Sequence, residues 1–124
     1  MKHLTAEEVL LCHDMAIQRY GGCAGCADPD RVYALIGRIQ NFEIYENVED
    51  PFVLAAMYCV AVSQGHVFVD GNKRTAACCM FAILQRNGVS VRNRDGFLDV
   101  ILKVATKEMS VMDLVKHLKR LYAQ

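Results

Sequence analysis

Residues 52–74 read FVLAAMYCVAVSQGHVFVDGNKR, an apolar segment that leads directly into a polar loop. The first part, residues 52–62, is apolar on nearly every side of a helix. A helix that is apolar all round is buried all round, so this segment predicts the central helix of a helical core. Asp50-Pro51 immediately before it is typical of a helix start, because Pro fits the first helical turn.

The flanking sequence predicts further helices on both sides. Residues 5–8 (TAEE) and 110–113 (SVMD) match capping boxes, and residues 28–30 (DPD) give another start signal. Apolar residues recur at helical spacing after each of these signals and again in residues 97–104. The segment after the polar loop predicts a helix from Arg74 to Arg86. We therefore expect an all-α fold of about six helices.

Two short segments do not follow the helical pattern. Residues 41–49 alternate loosely between apolar and acidic side chains, which favours a short hairpin or an irregular flap. Residues 89–91 favour a short extended piece.

Length and composition restrict the class of protein. A chain of 124 residues predicts a single domain over residues 1–124. The 14 basic and 14 acidic residues give no net charge, which argues against a nucleic-acid binder that relies on a general basic surface. No apolar run approaches the roughly 20 residues needed to span a bilayer, and acids occupy the place of a signal peptide's apolar region. We expect a soluble, cytoplasmic protein.

The six cysteines do not suggest a disulfide framework. Four of them fall inside apolar helical patterns, where a free cysteine packs as a small hydrophobe: Cys12, Cys59, Cys78 and Cys79. Cys23 and Cys26 form a Cys-x-x-Cys pair in a glycine-rich turn, but a zinc site needs two more ligands at suitable spacing and none follows. Reduced thiols in a loop are the expected state.

The polar loop, residues 66–74, combines residue types suited to chemistry on a phosphate. His66 is a candidate base, because an imidazole can accept a proton from a hydroxyl at cellular pH. Asp70 can hold Mg²⁺, which prefers a few protein oxygens together with phosphate oxygens. Gly71 allows a sharp turn. The backbone N–H groups from Gly71 to Arg74 would face outward at the start of the next helix, where phosphate binds.

Each of these residues also has an ordinary structural interpretation. Taken singly, His66 is typical of a surface or capping histidine, Asp70 of an acid near a helix start, and Lys73-Arg74 of a solvated pair. Two basic residues in the first turn of a helix are, however, unfavourable against the helix dipole. Their presence is better explained if an anion binds among them. The residues alone predict a phosphate site but do not identify a reaction.

The motif His-x-Phe-x-Asp-Gly-Asn-Lys-Arg at residues 66–74 resembles the signature of the Fic/Doc family, and in particular its Doc branch. The wider Fic pattern is His-x-Phe-x-[Asp/Glu]-Gly-Asn-Gly-Arg-x-x-Arg, and Doc proteins have Lys in place of the second Gly, as at Lys73. The resemblance covers essentially the whole chain and includes these other segments: His3, residues 13–14 (HD), 19–22 (RYGG), 34–38 (ALIGR), 86–89 (RNGV) and 118–122 (LKRLY).

The resemblance implies a compact six-helix Fic/Doc fold and a toxin of a toxin–antitoxin pair. Doc-type toxins transfer the γ-phosphate of ATP to a threonine of elongation factor Tu and so inhibit translation. It further implies that His66 is the base, that Asp70 holds Mg²⁺, that Gly71 and Asn72 form an anion hole, and that Lys73 and Arg74 bind nucleotide phosphates.

The resemblance also implies partners. Residues 41–49 resemble the flap against which Fic proteins align a target segment by strand pairing. The C-terminal segment of a Phd-like antitoxin would fold into an apolar groove of this chain. No direct contact with nucleic acid or membrane is expected.

Two alternatives to the kinase hypothesis stay open. Most Fic relatives transfer AMP to a protein hydroxyl, and a catalytically degenerate domain would only bind its antitoxin. The last Arg of the Fic pattern falls on Ala77, which, with Lys73, favours γ-phosphate transfer over AMP transfer. Two further positions depart from the Doc pattern, since Gln64 replaces an Arg and Cys78 an Asn.

Overall fold

A computed structural model describes residues 1–25 and 28–123, which form six α-helices. The helices are α1 (Ala6–Tyr20), α2 (Pro29–Tyr45), α3 (Pro51–Gly65), α4 (Asn72–Arg86), α5 (Phe97–Ala105) and α6 (Val111–Tyr122). The predicted all-α, six-helix fold is confirmed. Among the helices of the described residues, none has the length and apolar character to cross a bilayer.

The predicted helix starts are confirmed by their capping hydrogen bonds. Both capping boxes are complete, one between Thr5 and Glu8 and the other between Ser110 and Asp113. Asp28 and Asp50 cap α2 and α3, in each case directly before a Pro. These side chains accept backbone N–H groups that the first helical turn leaves unpaired, which is why short polar residues locate helix starts in the sequence.

Helix α3 is the centre of the core, as its all-round apolar sequence predicts. It packs against α2, α4, α5 and α6. Its fully buried side chains include Leu54, Tyr58 and Val62. Because α4 follows α3 after only a short loop and packs closely on it, the polar loop between them is held against the core at both ends.

The expected hairpin or flap at residues 41–49 is wrong, because α2 continues through Tyr45. The buried stripe of α2 includes Ile39, and the position one helical turn later is Glu43, which pairs with His3 (Oε2 to Nε2, 3.0 Å). The apolar residues that suggested alternation include Ile44 and Tyr45, which are 76% and 86% exposed. They therefore do not form the buried face of a strand. Residues 89–91 are irregular rather than extended in a strand.

An ion pair ties the start of α1 to the end of α4. The guanidinium of Arg86 donates from Nη1 to Oε1 of Glu8 at 2.8 Å, and Nη2 pairs with Oε2. The hydrogen bond from Arg86, followed by that from the Thr5 backbone N–H, lowers the pKa of Glu8 to about 2. Since this folded-state pKa lies below the ordinary value of 4.5, the pair stabilises the fold above that pH, and the contribution is lost as pH falls toward 2.

We therefore expect Glu8→Gln to lower Tm by about 3 °C at pH 7, a small change because the pair is partly solvated. Thermal melts of both proteins between pH 7 and pH 3 check this. The difference should shrink progressively below pH 4.5. A constant difference across that range would show that Glu8 acts through something other than its charge.

Candidate active site

Loop 66–71 joins α3 to α4 and begins with an exposed histidine. His66 ends α3 in the left-handed conformation (φ 49°), which few residues other than glycine adopt. Within residues 1–25 and 28–123 its imidazole forms no hydrogen bond or ion pair, and the side chain is exposed. The ring is therefore accessible to a ligand, as a proton acceptor must be.

The middle of the loop is anchored in the core by Phe68. This side chain is 4% exposed and points inward. The side-chain amide of Asn72 makes two hydrogen bonds to the backbone of Phe68. Its Oδ1 accepts the Phe68 N–H at 3.2 Å, and its Nδ2 donates to the Phe68 carbonyl at 3.0 Å. The Asn72 side chain is therefore committed to the loop, and its backbone N–H is the group that it offers to a ligand.

Two backbone N–H groups orient the carboxylate of Asp70. Gly71 donates to Oδ1 at 2.8 Å, and Cys23, in the loop after α1, donates to Oδ2 at 3.3 Å. Among the described residues no group of three or more His, Cys, Asp or Glu side chains is arranged to hold a metal. A metal ion would rely on the exposed Asp70 carboxylate and on ligand oxygens, and Mg²⁺ accepts such a donor set.

The first turn of α4 is an uncapped helix N-terminus. Gly71 precedes it with φ 78°, and no side chain caps the helix. The first intrahelical bond runs from Thr75 N–H to the Gly71 carbonyl at 3.0 Å, and the Gly71 N–H is used by Asp70. The open donors therefore begin at Asn72. The helix starts two residues earlier than predicted, so Lys73 and Arg74 both lie in this first turn.

Arg74 is held by an aromatic ring that the sequence did not suggest. Its guanidinium carbon lies 3.8 Å from the centroid of Tyr20, at the end of α1. Stacking on a ring uses the face of the guanidinium and leaves its N–H edge free for an anion. Lys73 is exposed. The two cations are thus placed differently, one oriented by packing and the other free to move.

A groove of about 630 Å³ begins at Arg74 and runs between α1, α4 and the start of α5. Apolar and thiol side chains form much of its surface: Cys12, Met15, Ala16, Ala77, Cys78, Phe81, Phe97 and Leu98. Charged residues also line it, namely Arg19, Arg74, Arg94, Asp95 and Asp99.

The positions that depart from the Doc pattern have different surroundings. Gln64 faces α5, where its Nε2 donates to the Val104 carbonyl at 2.9 Å. Cys78 lines the groove beside Ala77, and its hydrogen bond with Cys12, followed by burial, raises the pKa of its thiol. A thiol with a raised pKa stays protonated and packs rather than reacts. Cys23 is exposed, while Cys26 lies outside the described residues.

Segments far apart in sequence complete the site. Tyr20, Gly22 and Cys23 reach the loop from the end of α1, as does His13 from its middle. Sequence reasoning assigned no function to these residues. Beyond the resemblance of segments 13–14 and 19–22, the sequence signal is that His13 is a polar residue on the apolar stripe of α1, where it is buried to 2% exposure.

Comparison with known proteins identifies the family of this chain. The model of the Fic/DOC family matches residues 3–84, more than half of the chain. A protein of Escherichia phage P1 named "Protein kinase doc" is 43% identical over 122 residues, which cover 98% of this chain and 97% of the relative. The chain therefore belongs to the Fic/Doc family and, within it, to the Doc branch.

Proposed function

We propose that this chain is a toxin kinase that transfers the γ-phosphate of ATP to a threonine or serine hydroxyl of a translation factor similar to elongation factor Tu. The observation that carries the proposal is the loop itself, where an accessible His66, an oriented Asp70 and an uncapped, doubly cationic helix N-terminus follow one another within nine residues. The name of the phage P1 relative supports the same reaction type.

In the proposed reaction, the imidazole of His66 takes the proton of the target hydroxyl. The hydroxyl oxygen then bonds to the γ-phosphorus, the bond from that phosphorus to the β–γ bridging oxygen breaks, and ADP leaves. The backbone N–H groups of Asn72, Lys73 and Arg74 would bind phosphate oxygens, which helix N-termini do through open donors and the dipole. Gly71 supplies the turn that exposes them. The guanidinium edge of Arg74 adds a bidentate contact.

Asp70 would hold Mg²⁺, whose charge neutralises phosphate oxygens in phosphoryl transfer. The contacts from Gly71 and Cys23 leave acceptor capacity on both oxygens of the carboxylate, because an ionised carboxylate has about four acceptor positions. The same two contacts fix the direction of the carboxylate relative to the first turn of α4.

The direction of the Asp70 carboxylate depends on Gly22. A Cβ at Gly22 would lie 2.6 Å from Oδ2 of Asp70, and a side-chain end gives way more readily than backbone. We expect Gly22→Ala to displace the carboxylate and to lower kcat/KM for phosphate transfer by roughly tenfold to a hundredfold. Steady-state kinetics with Mg·ATP measure this.

Gly21→Ala is the matched control for this variant. Gly21 also has positive φ (82°, against 116° at Gly22), so alanine is strained at both positions, but no atom lies within 4 Å of its Cβ position. Both variants should lose stability, and only Gly22→Ala should lose most of its activity. Equal losses of activity would show that the carboxylate does not need this direction.

Transfer of phosphate rather than AMP is supported by two positions. Lys73 stands where the general Fic pattern has glycine, and Ala77 stands where it has a second arginine. Ala77 lies on the groove one helical turn after Lys73 and offers no charge. Lys73 and Arg74 are therefore the cations that the start of α4 offers to a nucleotide. This arrangement favours binding of the γ-phosphate, the group that is transferred.

The groove beside Arg74 is the proposed site for the antitoxin segment. Its apolar wall suits an amphipathic helix, and its three arginines outnumber its two aspartates, which favours acidic residues in that helix. Leu98→Arg places a charge in the groove, so we expect it to abolish rescue of growth by a co-expressed Phd-like antitoxin while growth arrest by the toxin persists. Leu102→Arg on the same helix, outside the groove, is the control and should still be rescued.

Toxin function itself is tested by induced expression in bacteria and by a cell-free translation reaction. We expect growth arrest and ATP-dependent loss of reporter synthesis, together with a labelled protein band when γ-labelled ATP is supplied. Arrest that persists without any protein labelling would favour binding over catalysis and would overturn the kinase proposal.

A further inference from the structure

His13 lies at the contact between α1 and the active-site loop, and its two contacts there are of different chemical kinds. Its ring stacks on Phe68 with centroids 3.9 Å apart and planes 5° apart. Its Nε2 lies 2.8 Å from the carbonyl oxygen of Asp70. The side chain is 2% exposed, so both contacts are shielded from water.

The hydrogen bond has a defined direction. A carbonyl oxygen can only accept, so Nε2 carries a proton and donates it to Asp70. The other nitrogen, Nδ1, is 4.0 Å from Oδ1 of Asp14, a distance too long for a hydrogen bond. Asp14 is otherwise exposed, which leaves the Asp70 carbonyl as the polar contact of the buried ring.

The bonded carbonyl lies between two functional elements. On one side of it is the Asp70 carboxylate, and on the other is Gly71, whose Cβ position is 3.8 Å from His13 Nε2. The peptide between Asp70 and Gly71 therefore has one end bonded to α1, and its rotation would move both the carboxylate and the first N–H groups of α4. Phe68 anchors the loop by burial, which has no direction, whereas the hydrogen bond fixes the orientation of this peptide.

We infer that His13 is a positioning residue: its Nε2–H holds the Asp70–Gly71 peptide so that the carboxylate and the α4 N-terminus face the same ligand. This inference rests on the proposed phosphate transfer. His13 itself makes no contact with substrate. Its two contacts have different roles, since the stacked ring stabilises the loop and the Nε2–H group orients it.

Two substitutions remove one contact each. His13→Phe keeps an aromatic ring against Phe68 and removes the donor, which leaves the Asp70 carbonyl without this partner. His13→Gln keeps an amide N–H at a similar distance from the backbone and removes the stacked ring. We expect stability, measured as Tm, to fall more in His13→Gln, and kcat/KM for transfer from Mg·ATP to fall more in His13→Phe, by about tenfold or more.

The positioning role predicts that the two variants rank in opposite orders, with His13→Phe the more stable and His13→Gln the more active. If the role of His13 were structural alone, activity would follow Tm, and His13→Phe would be the more active variant. That outcome would overturn the inference. Calorimetric titration with Mg·ATP gives a second readout, in which His13→Phe should bind more weakly than His13→Gln. If the wild-type chain transfers no phosphate, the proposed function fails, and the order of affinities then tests His13 separately.

Discussion

His66→Asn should reduce phosphate transfer by roughly a hundredfold to ten-thousandfold, the range that general-base catalysis contributes. Asparagine keeps a polar side chain of similar size and cannot accept a proton at neutral pH. It also tolerates the left-handed backbone found at His66 (φ 49°) better than most residues do. Initial rates of label transfer from γ-labelled ATP, with Tm measured on the same preparation, check the prediction.

A glycine at the same position separates catalysis from folding. His66→Gly removes the imidazole at a position where glycine carries no steric penalty, so Tm should be unchanged or slightly higher. Loss of activity together with intact stability in both variants would assign the effect to the imidazole. Transfer at near wild-type rates in either variant would show that another group takes the proton.

Asp70→Asn is expected to lower transfer by about a hundredfold or more, because it removes the one charged oxygen ligand that the loop offers to Mg²⁺. The amide oxygen can keep one of the two hydrogen bonds to Gly71 and Cys23, so the fold should persist with little change in Tm. The measurement is the rate of transfer as a function of Mg²⁺ concentration. The variant should need more metal and reach a lower maximum.

Asp14→Asn is the matched control for the loss of charge. Asp14 is a neighbouring acid on α1, 4.0 Å from His13, and its side chain is 75% exposed. Removing its charge should change neither the maximum rate nor the dependence on Mg²⁺ by more than about twofold. A similar loss in both variants would mean that general electrostatics, rather than a ligand at Asp70, explains the effect.

The helices were predictable because their signals are local. Thr5, Asp28, Asp50 and Ser110 cap helices through atoms two or three residues away, and the central position of α3 follows from its own apolar composition. Residues 41–49 were mispredicted for the opposite reason. Their alternation resembled a strand, whereas in the structure they continue α2, where Glu43 meets His3, forty residues earlier in the chain.

The functional site shows the same contrast between local and long-range signals. The loop from His66 to Arg74 was recognisable because its residue types are consecutive, and the cationic first turn of α4 suggested an anion. The residues that orient it come from α1 and the loop after α1. His13 meets Asp70 across 57 positions, and Cys23 meets it across 47. No periodicity or spacing connects such positions. The sequence marks His13 as a polar residue on the apolar stripe of α1 and as part of a segment that resembles the family, but it does not place His13 against Asp70.

Parallel reactions with ATP labelled at the α- or the γ-phosphate decide whether this chain transfers the γ-phosphate of ATP. Each reaction contains the purified chain, Mg²⁺ and a bacterial extract, and label on protein is measured together with the released nucleotide. We expect protein label from γ-labelled ATP alone, with ADP as the product. Protein label from α-labelled ATP, with release of pyrophosphate, would rule out γ-phosphate transfer and assign AMP transfer instead.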